Sequence, residues 1–322
     1  MDAIKALTAE VSQEIQNMEV PKFPSNLYDP IKYFLSLGGK RIRPVMCLIG
    51  HQLFDDNYKD SIPQAIAIEL FHNFSLIHDD IMDQAPLRRG KETVHQKWNQ
   101  NIGILSGDSI MIKSYDYLIQ APAQYLPELL CVFNTTAKEI CEGQQMDLDF
   151  ETQEDITVAD YIEMIRLKTA VLLGCSLKLG AIRGGGSKED QNNLYKFGES
   201  LGISFQIQDD IMDVYADPDK FGKTVGGDII CNKKTLLMLR LQELATPEDK
   251  LLLESYFELT DADEKIDKVK ALYEKYNIKE IATKEMMNYY NAGIEALNNV
   301  SIESEKKAPL KEIAEFLIQR ES

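Results

Sequence analysis

The sequence predicts one all-α domain that spans residues 1–322. Apolar residues recur at helical spacing through most of the chain, alternating strand patterns are hard to find, and the glycine-rich breaks are too short to be interdomain linkers. No apolar run approaches the roughly 18 residues that a membrane helix requires. We therefore expect a soluble helical protein without an integral membrane segment.

The clearest helix start lies at Ser61, which can cap a segment that has Pro63 in its first turn. Apolar side chains recur at helical spacing from Ile66 to Ile77, and the pattern ends before Pro86. The first aspartate motif falls near the end of this helix. Similar periodicity predicts further helices over 100–120, 126–150, 158–182, 190–215, 233–258, 262–275, 279–299 and 307–320.

The net charge of −17 argues against nucleic acid and anionic membrane surfaces as general partners. An acidic protein that binds an anionic substrate needs a local basic cluster, divalent cations held by carboxylates, or both. The first twenty residues lack the basic start and apolar middle of a signal peptide. The five cysteines are odd in number and scattered, without a CxxC pair, and this usage is typical of reduced thiols in a cytoplasmic protein.

The pentapeptide DDIMD occurs twice, at residues 79–83 and 209–213. On a helix, Asp79 and Asp83 share a face, and so do Asp209 and Asp213. Each pair of carboxylates repels itself unless a cation lies between them, and an all-oxygen site suits Mg²⁺ or Mn²⁺ better than zinc. A single DDxxD is often only a solvated acidic helix end, but apolar residues flank both copies here. Two such motifs predict a site that holds one diphosphate through magnesium from both sides.

Basic residues accompany the first motif on either side. The stretch Gly38-Gly39-Lys40-Arg41-Ile42-Arg43-Pro44 places three cations within four residues, an arrangement able to bind a diphosphate. Arg88 and Arg89 follow Asp83 by five and six residues. These cations supply the local positive charge that the acidic chain as a whole lacks.

Taken together, these stretches closely resemble the trans-isoprenyl diphosphate synthases, also called polyprenyl synthetases. The resemblance lies in six motifs in the family's order over about residues 35–235: GGKRIRP, LIHDDIMDQAPLRRG, EGQQMD, RLKTA, FQIQDDIMD and GKTVGGD. It implies a bundle of roughly a dozen helices around a deep central cavity, usually as a homodimer. It also implies the head-to-tail condensation of isopentenyl diphosphate with an allylic diphosphate.

The resemblance implies roles for individual residues. Asp79, Asp83 and Asp209 match the catalytic aspartates that hold magnesium, three ions in all with Mn²⁺ as a substitute, and Asp80 and Asp213 match supporting groups. The groups that stabilise the departing diphosphate correspond to Arg88, Lys168, Thr169, Gln206 and Lys223. The site for isopentenyl diphosphate corresponds to Lys40, Arg43, His72 and Arg89. Lys233 matches the lysine of a GKxT stretch in which Asn232 here replaces the glycine.

Product length is predicted from the residues just before Asp79. Ser75, Phe74 and Phe71 lie four, five and eight positions earlier, which on a helix places Phe74 roughly 7 Å and Phe71 roughly 12 Å below Asp79. In the family an aromatic residue five positions before the motif is typical of short products, so C20 geranylgeranyl diphosphate is favoured and C15 farnesyl diphosphate comes next. The alternative that Phe74 is ordinary core remains open, as does the choice of a C5, C10 or C15 starter.

Two other functions compete with this interpretation. A class I terpene cyclase would ionise an allylic diphosphate on the same fold, but it does not need the second diphosphate site or a second DDIMD. A non-catalytic subunit of a heteromeric synthase would be expected to lose aspartates, and this chain keeps all six.

Overall fold

The structure is a computed structural model that describes residues 2–216 and 225–318. Within these ranges it is helical apart from one short hairpin, so the all-α prediction is confirmed. Contacts divide the chain into two compact units. Unit 1 comprises residues 1–135, 175–195 and 299–310, and unit 2 comprises residues 136–174, 196–298 and 311–322. The single domain over 1–322 stays a prediction.

The first part of the chain forms six helices and a hairpin: α1 (Asp2–Asn17), α2 (Ser25–Ser36), α3 (Ile42–Gln52), α4 (Ile62–Met82), β1 (Leu87–Arg88), β2 (Lys91–Glu92), α5 (Val94–Lys97) and α6 (Gln100–Leu118). The middle contains α7 (Leu126–Phe150), α8 (Val158–Ile165), a π-helical turn (Arg166–Ala170), α9 (Val171–Arg183) and α10 (Lys188–Tyr215). The last part contains α11 (Gly227–Ile230), α12 (Leu236–Leu244), α13 (Pro247–Phe257), α14 (Ala262–Lys275), α15 (Ile278–Asn298) and α16 (Ala308–Ile318). Short 3₁₀ turns lie at Tyr58–Ser61 and Ser304–Lys307.

Helix α4 forms the centre of unit 1 and carries the first aspartate motif at its end. Pro63 lies in its first turn, and Ser61 occupies the N-cap position as predicted. The Ser61 hydroxyl does not cap the backbone, however, because it pairs with Nδ1 of the buried His51 at 2.6 Å. Leu70, Phe71 and other apolar residues of α4 are buried, and the helix packs along α6.

The part of helix α10 that belongs to unit 2 buries one apolar face and carries the second aspartate motif on another. Ile203, Ile207, Ile211 and Val214 recur at spacings of four, four and three, and all four are buried in the core of this unit. Since Asp209 lies two positions after Ile207, its side chain points away from the buried face of the helix and is partly exposed. The helix thereby fixes the direction of the motif.

Two local predictions were wrong, and one element was missed. The predicted helix over 233–258 is broken between α12 and α13, where Thr246 accepts a hydrogen bond from the Asp249 N–H and Pro247 begins the next helix. The segment 158–182 is interrupted by the π-helical turn. The hairpin of β1 and β2 was not anticipated, because strands of two residues show no alternating pattern. Among the described residues, no helix combines the length and the apolar character that crossing a membrane requires.

Candidate diphosphate and metal site

The first DDIMD motif lies at the C-terminal end of α4, as the sequence predicted. The helix ends at Met82, and Asp83 is its C-cap residue, whose N–H donates to the Asp79 carbonyl at 2.9 Å. Asp79 is partly buried and Asp83 is exposed. Both carboxylates therefore lie where the helix dipole is negative, which disfavours bare anions and favours a bound cation.

The middle carboxylate of this motif differs from its neighbours because it is buried. Asp80 is only 2% exposed and accepts hydrogen bonds from the Arg88 Nε, at 2.8 Å to Oδ1 and 2.9 Å to Oδ2. Arg88 also reaches the Asp79 Oδ2 at 3.3 Å. Burial raises the pKa of Asp80 above its ordinary value, and the Arg88 guanidinium partly offsets that shift. Asp80 thus holds Arg88 beside the aspartates, and its predicted supporting role toward a metal stays a prediction.

The hairpin presents Arg88 and Arg89 through its turn. Arg88 ends β1, and the turn residues Arg89 and Gly90 both have positive φ, 54° and 71°, as a type I′ turn requires. The Arg89 Nη1 donates to the Gly38 carbonyl, so the hairpin joins the glycine loop before α3. A Cβ added at Gly39 would lie 3.1 Å from the Arg89 Nη2. The two basic stretches predicted from the sequence are therefore adjacent in unit 1.

His72 lies within this basic cluster. Its Nε2 is 3.3 Å from the Arg43 Nη1. Burial is the largest cause that lowers the pKa of His72 well below its ordinary value, and the charges of Arg43, Arg89, Arg88 and Arg41 act in the same direction. The imidazole is therefore neutral at pH 7, and the positive charge of the cluster belongs to the arginines. Lys40 is exposed on the loop just before α3.

The structure assigns Arg41 to the fold rather than to the site. Its guanidinium is 5% exposed, pairs with the buried Glu69 and also donates to the Leu35 carbonyl at 3.3 Å. Asn73 donates to the Glu69 Oε1 at 3.2 Å and completes this buried network. Of the three cations in the KRIR stretch, one therefore faces inward, and the prediction that all three could bind a diphosphate was wrong for Arg41.

The second motif, in unit 2, repeats the pattern of a buried middle carboxylate. Asp210 is 5% exposed, accepts a hydrogen bond from the Tyr161 hydroxyl and lies 3.4 Å from the Leu236 N–H. Burial, reinforced by Asp228, raises the pKa of Asp210 to about 8, while Tyr161, Lys233 and the Leu236 N–H act in the opposite direction. Asp213 is partly exposed, and its Oδ2 accepts the Asp228 N–H at 3.0 Å.

Lys168 and Thr169 lie in the π-helical turn of unit 2. The Lys168 Nζ is 2.6 Å from the Asp147 Oδ2 on α7. The Thr169 hydroxyl donates to the Gln206 Oε1 at 3.4 Å, so Thr169 and Gln206 come together as the resemblance implied. Single π turns inside helices are frequent at functional sites.

Asn232 explains how the departure from GKxT is accommodated. Its φ is 54°, in the left-handed region that asparagine tolerates better than most residues, so it can take the backbone conformation of a glycine. Lys233 follows, and its charge acts to lower the pKa of Asp210. The Lys234 Nζ donates to the Phe150 carbonyl at 2.8 Å. The remaining predicted cation of this region, Lys223, lies outside the described residues.

Aromatic rings fill the space beside α4 before the first motif. Phe74 contacts Phe71 edge to face with 5.4 Å between ring centroids, and Phe71 contacts Phe133 of α7 at 5.3 Å. Phe74 also contacts the His78 ring at 4.8 Å. The Ser75 hydroxyl bonds the His72 carbonyl at 2.9 Å. Phe71 and Phe133 are buried, whereas Phe74 is partly exposed. Phe133, which sequence reasoning missed because it lies on another helix, extends the aromatic layer.

The donor atoms of both motifs fit magnesium. Within residues 2–216 and 225–318, no group of three or more His, Cys, Asp or Glu side chains is gathered closely enough to hold a metal by itself. Paired carboxylates of the kind at Asp79 and Asp83 suit an ion that takes one or two protein oxygens and completes its shell with water and phosphate oxygens. Asp79, Asp83, Asp209 and Asp213 are the residues that would provide those oxygens.

Unit 1 holds paired carboxylates beside an arginine cluster, and unit 2 holds a second aspartate motif whose Asp210 is influenced by the charge of Lys233. These features define a helical protein suited to bind a metal-complexed diphosphate. Comparison with known proteins agrees with this class. The polyprenyl synthetase family model matches residues 24–276, and the chain therefore belongs to the polyprenyl synthetase family.

Individual relatives match over the whole chain. A short chain isoprenyl diphosphate synthase of Methanothermobacter thermautotrophicus is 35% identical over 100% of this chain and 98% of its own length. A geranylgeranyl diphosphate synthase of Methanosarcina mazei is 34% identical with the same coverage. A crystal structure of a geranylgeranyl pyrophosphate synthase superimposes with a TM-score of 0.94 at 41% identity over 100% of both chains.

Proposed function

We propose that this protein condenses isopentenyl diphosphate head to tail with allylic diphosphates and releases a short all-trans prenyl diphosphate, with geranylgeranyl diphosphate as the main product. Farnesyl diphosphate is the next candidate. The observation that carries the proposal is the cluster of Arg43, His72, Arg88 and Arg89 beside the first aspartate motif. A diphosphate-binding surface of this kind serves a second, non-ionising substrate as well as the allylic one.

In this reaction the carbon–oxygen bond of the allylic diphosphate breaks, and the diphosphate leaves with the electron pair. The double bond of isopentenyl diphosphate then attacks the allylic carbon, and one proton is lost to the released diphosphate. Bound magnesium supplies charge neutralisation of the leaving group. Arg88, Lys168 and Lys233 bind the developing negative charge, and Thr169 and Gln206 orient the diphosphate through hydrogen bonds. Lys223 has the same proposed role as Lys168.

The second substrate is assigned to the basic cluster of unit 1. Arg43 and Arg89 bind the diphosphate of isopentenyl diphosphate, and Lys40 adds an exposed charge at the mouth of this site. The neutral His72 donates or accepts a hydrogen bond without adding to the repulsion among the arginines. Neutrality of His72 matters, because Arg43 already lies 3.3 Å from its ring and the charges of Arg89, Arg88 and Arg41 also disfavour the protonated form.

The experiment that tests the reaction is incubation of the purified protein with magnesium, labelled isopentenyl diphosphate and dimethylallyl, geranyl or farnesyl diphosphate, followed by chromatography of the products. Incorporation of label into a C20 or C15 diphosphate, abolished by EDTA and restored by Mg²⁺, is the expected result. Consumption of the allylic substrate without incorporation would replace the proposal by a terpene cyclase. Binding without turnover would identify a non-catalytic subunit.

Replacing Phe74 by alanine is expected to lengthen the main product by at least one C5 unit. Phe74 is the partly exposed ring of the aromatic layer, and its removal leaves Phe71 and Phe133 as the next obstacle. The measurement is the product distribution with each starter, and Phe133→Leu serves as the matched control that keeps Phe74. An unchanged product in Phe74→Ala would show that Phe74 is ordinary core.

We also propose that the protein acts in the cytoplasm as a homodimer. On α6 and directly after it, Leu105, Ile112 and Ile119 recur every seven residues and are 59%, 62% and 52% exposed. A stripe of this kind is typical of a helix that packs against a partner. Sedimentation is expected to give twice the chain mass of 36.6 kDa, and Ile112→Asp is expected to give monomers. A monomeric wild type would contradict the proposal.

A further inference from the structure

One face of α7 contacts the segment that carries Lys168 at three successive turns. Glu139, Gly143 and Asp147 are spaced by four residues and therefore share this face. The Glu139 Oε1 lies 3.8 Å from the Arg166 Nη1, and the Asp147 Oδ2 lies 2.6 Å from the Lys168 Nζ. All of these residues belong to unit 2.

Between these two ion pairs, Gly143 allows the backbones to touch. A Cβ at this position would lie only 2.3 Å from the Lys168 backbone nitrogen and 2.7 Å from the Leu167 carbonyl carbon. The segment in contact is the π-helical turn, which places one more residue in its turn than an α-helix does. Any side chain larger than hydrogen at position 143 would push this turn away from α7.

The start of the turn is fixed by charge. The Arg166 guanidinium donates to Glu163 at 2.7 Å and to Glu199 at 2.9 Å, and these bonds, with Glu163 the larger cause, raise the pKa of Arg166. Arg166 is therefore engaged within the fold, and Lys168 is the cation of this turn that reaches toward the Asp147 carboxylate.

A lysine side chain is long and flexible, so it loses rotamer entropy when it is fixed in one place. The Lys168 and Asp147 side chains are 24% and 18% exposed, so the pair is partly shielded from water and is stronger than a fully solvated surface pair. A carboxylate at 2.6 Å holds the ammonium in one place before any diphosphate arrives. This arrangement reduces the ordering that substrate binding would otherwise require.

From this geometry we propose that Asp147 is a positioning residue that orients Lys168 toward the leaving diphosphate, on a π turn that Gly143 admits. The inference rests on the proposed function, since it gives Asp147 a role in the same site. It accounts for the EGQQMD motif, to which the roles implied by the resemblance gave no part. Asp147 acts through Lys168 and not by contact with the reacting atoms.

The first test compares Asp147→Asn with Asp147→Glu and with Asp149→Asn, an exposed carboxylate two residues along the same helix that bonds Gln145. Asp147→Asn is expected to lower kcat about tenfold with the KM for isopentenyl diphosphate within twofold of wild type. Asp147→Glu is expected to recover part of the loss, because its carboxylate still reaches the ammonium. Asp149→Asn is expected to retain wild-type kinetics. An unchanged kcat in Asp147→Asn, or an equal loss in Asp149→Asn, would overturn the proposal.

The second test asks whether Asp147 acts through Lys168. In a Lys168→Ala background, addition of Asp147→Asn is expected to cause no further loss, because the residue to be positioned is already absent. A further tenfold loss would show that Asp147 acts by another route. Thermal unfolding of each variant separates a misfolded protein from a mispositioned lysine. If the wild type itself forms no prenyl diphosphate, the proposed function fails. If the wild type is active but the Asp147 variants behave as it does, the positioning proposal alone fails.

Discussion

Replacement of Gly180 by alanine is expected to lower the free energy of unfolding by about 3 kcal/mol. In unit 1, α3 and α9 approach so closely that a Cβ at Gly180 would lie 1.9 Å from the Cys47 carbonyl oxygen. A Cβ added at Gly50 would lie 2.6 Å from the Leu177 carbonyl oxygen, and a Cβ added at Gly184 would lie 2.6 Å from the His51 carbonyl oxygen. Backbone atoms cannot move aside as a flexible side chain can, so the two helices must separate.

The measurement is equilibrium unfolding in urea, with Gly293→Ala as the matched control. Gly293 lies in α15, where an added Cβ would meet its nearest neighbour, the Ser200 Cβ, at 3.3 Å. Helix propensity there favours alanine by up to about 1 kcal/mol, which offsets the tight contact. We expect the control to remain within about 1 kcal/mol of wild type. Equal stability of the two variants would show that α3 and α9 are not held at backbone contact.

Elements with strong periodicity were predictable almost to the residue. Helices α7 and α14 begin and end as the sequence indicated, and α4 ends at the first aspartate motif. Their apolar residues recur over at least three turns, so local pattern and tertiary burial favour the same structure. The sequence also contains a signal for the break before α13, since Thr246 and Pro247 together form a helix start. The signal was overlooked because apolar residues continue at helical spacing on both sides of it.

The parts of the site that escaped prediction depend on contacts between distant residues. Arg41 faces inward because it pairs with the buried Glu69 of α4, and Asn73 of the same helix donates a hydrogen bond to Glu69. The π turn at Lys168 depends on the missing side chain of Gly143, more than twenty residues earlier. Local sequence cannot distinguish a buried arginine from a substrate-binding one, because both occur in the same cationic stretch.

The burial of the middle carboxylate in each motif was predictable only in part. Ile77 and Ile207 are buried, and a residue three positions later lies nearly on the same helix face. Asp80 and Asp210 occupy those positions, so helical geometry already separates them from the flanking aspartates. The partners that make burial possible, Arg88 and Tyr161, come from other elements and could not be read from the motif. Sequence therefore gives the direction of each carboxylate, and the fold gives its partner.

Asp83→Asn is expected to lower kcat about a thousandfold, or about 4 kcal/mol of transition-state stabilisation, without destabilising the protein. The carboxylate at this position is exposed, shares a helix end with Asp79 and lies at the negative end of the α4 dipole. Removing its charge relieves repulsion with Asp79 and with the negative end of the α4 dipole, so the free energy of unfolding should stay level or rise by about 0.5 kcal/mol. The prediction is specific because kcat falls while the free energy of unfolding does not.

The test measures turnover across a magnesium titration together with unfolding in the absence of metal, with the exposed Asp267 of α14 changed to asparagine as a matched control. The control should leave both quantities unchanged. A parallel fall in stability and turnover would mean that Asp83 supports the fold, and turnover within threefold of wild type would remove it from the metal site. A carboxylate whose loss leaves the metal-free protein at least as stable but abolishes turnover serves the bound ligand rather than the fold.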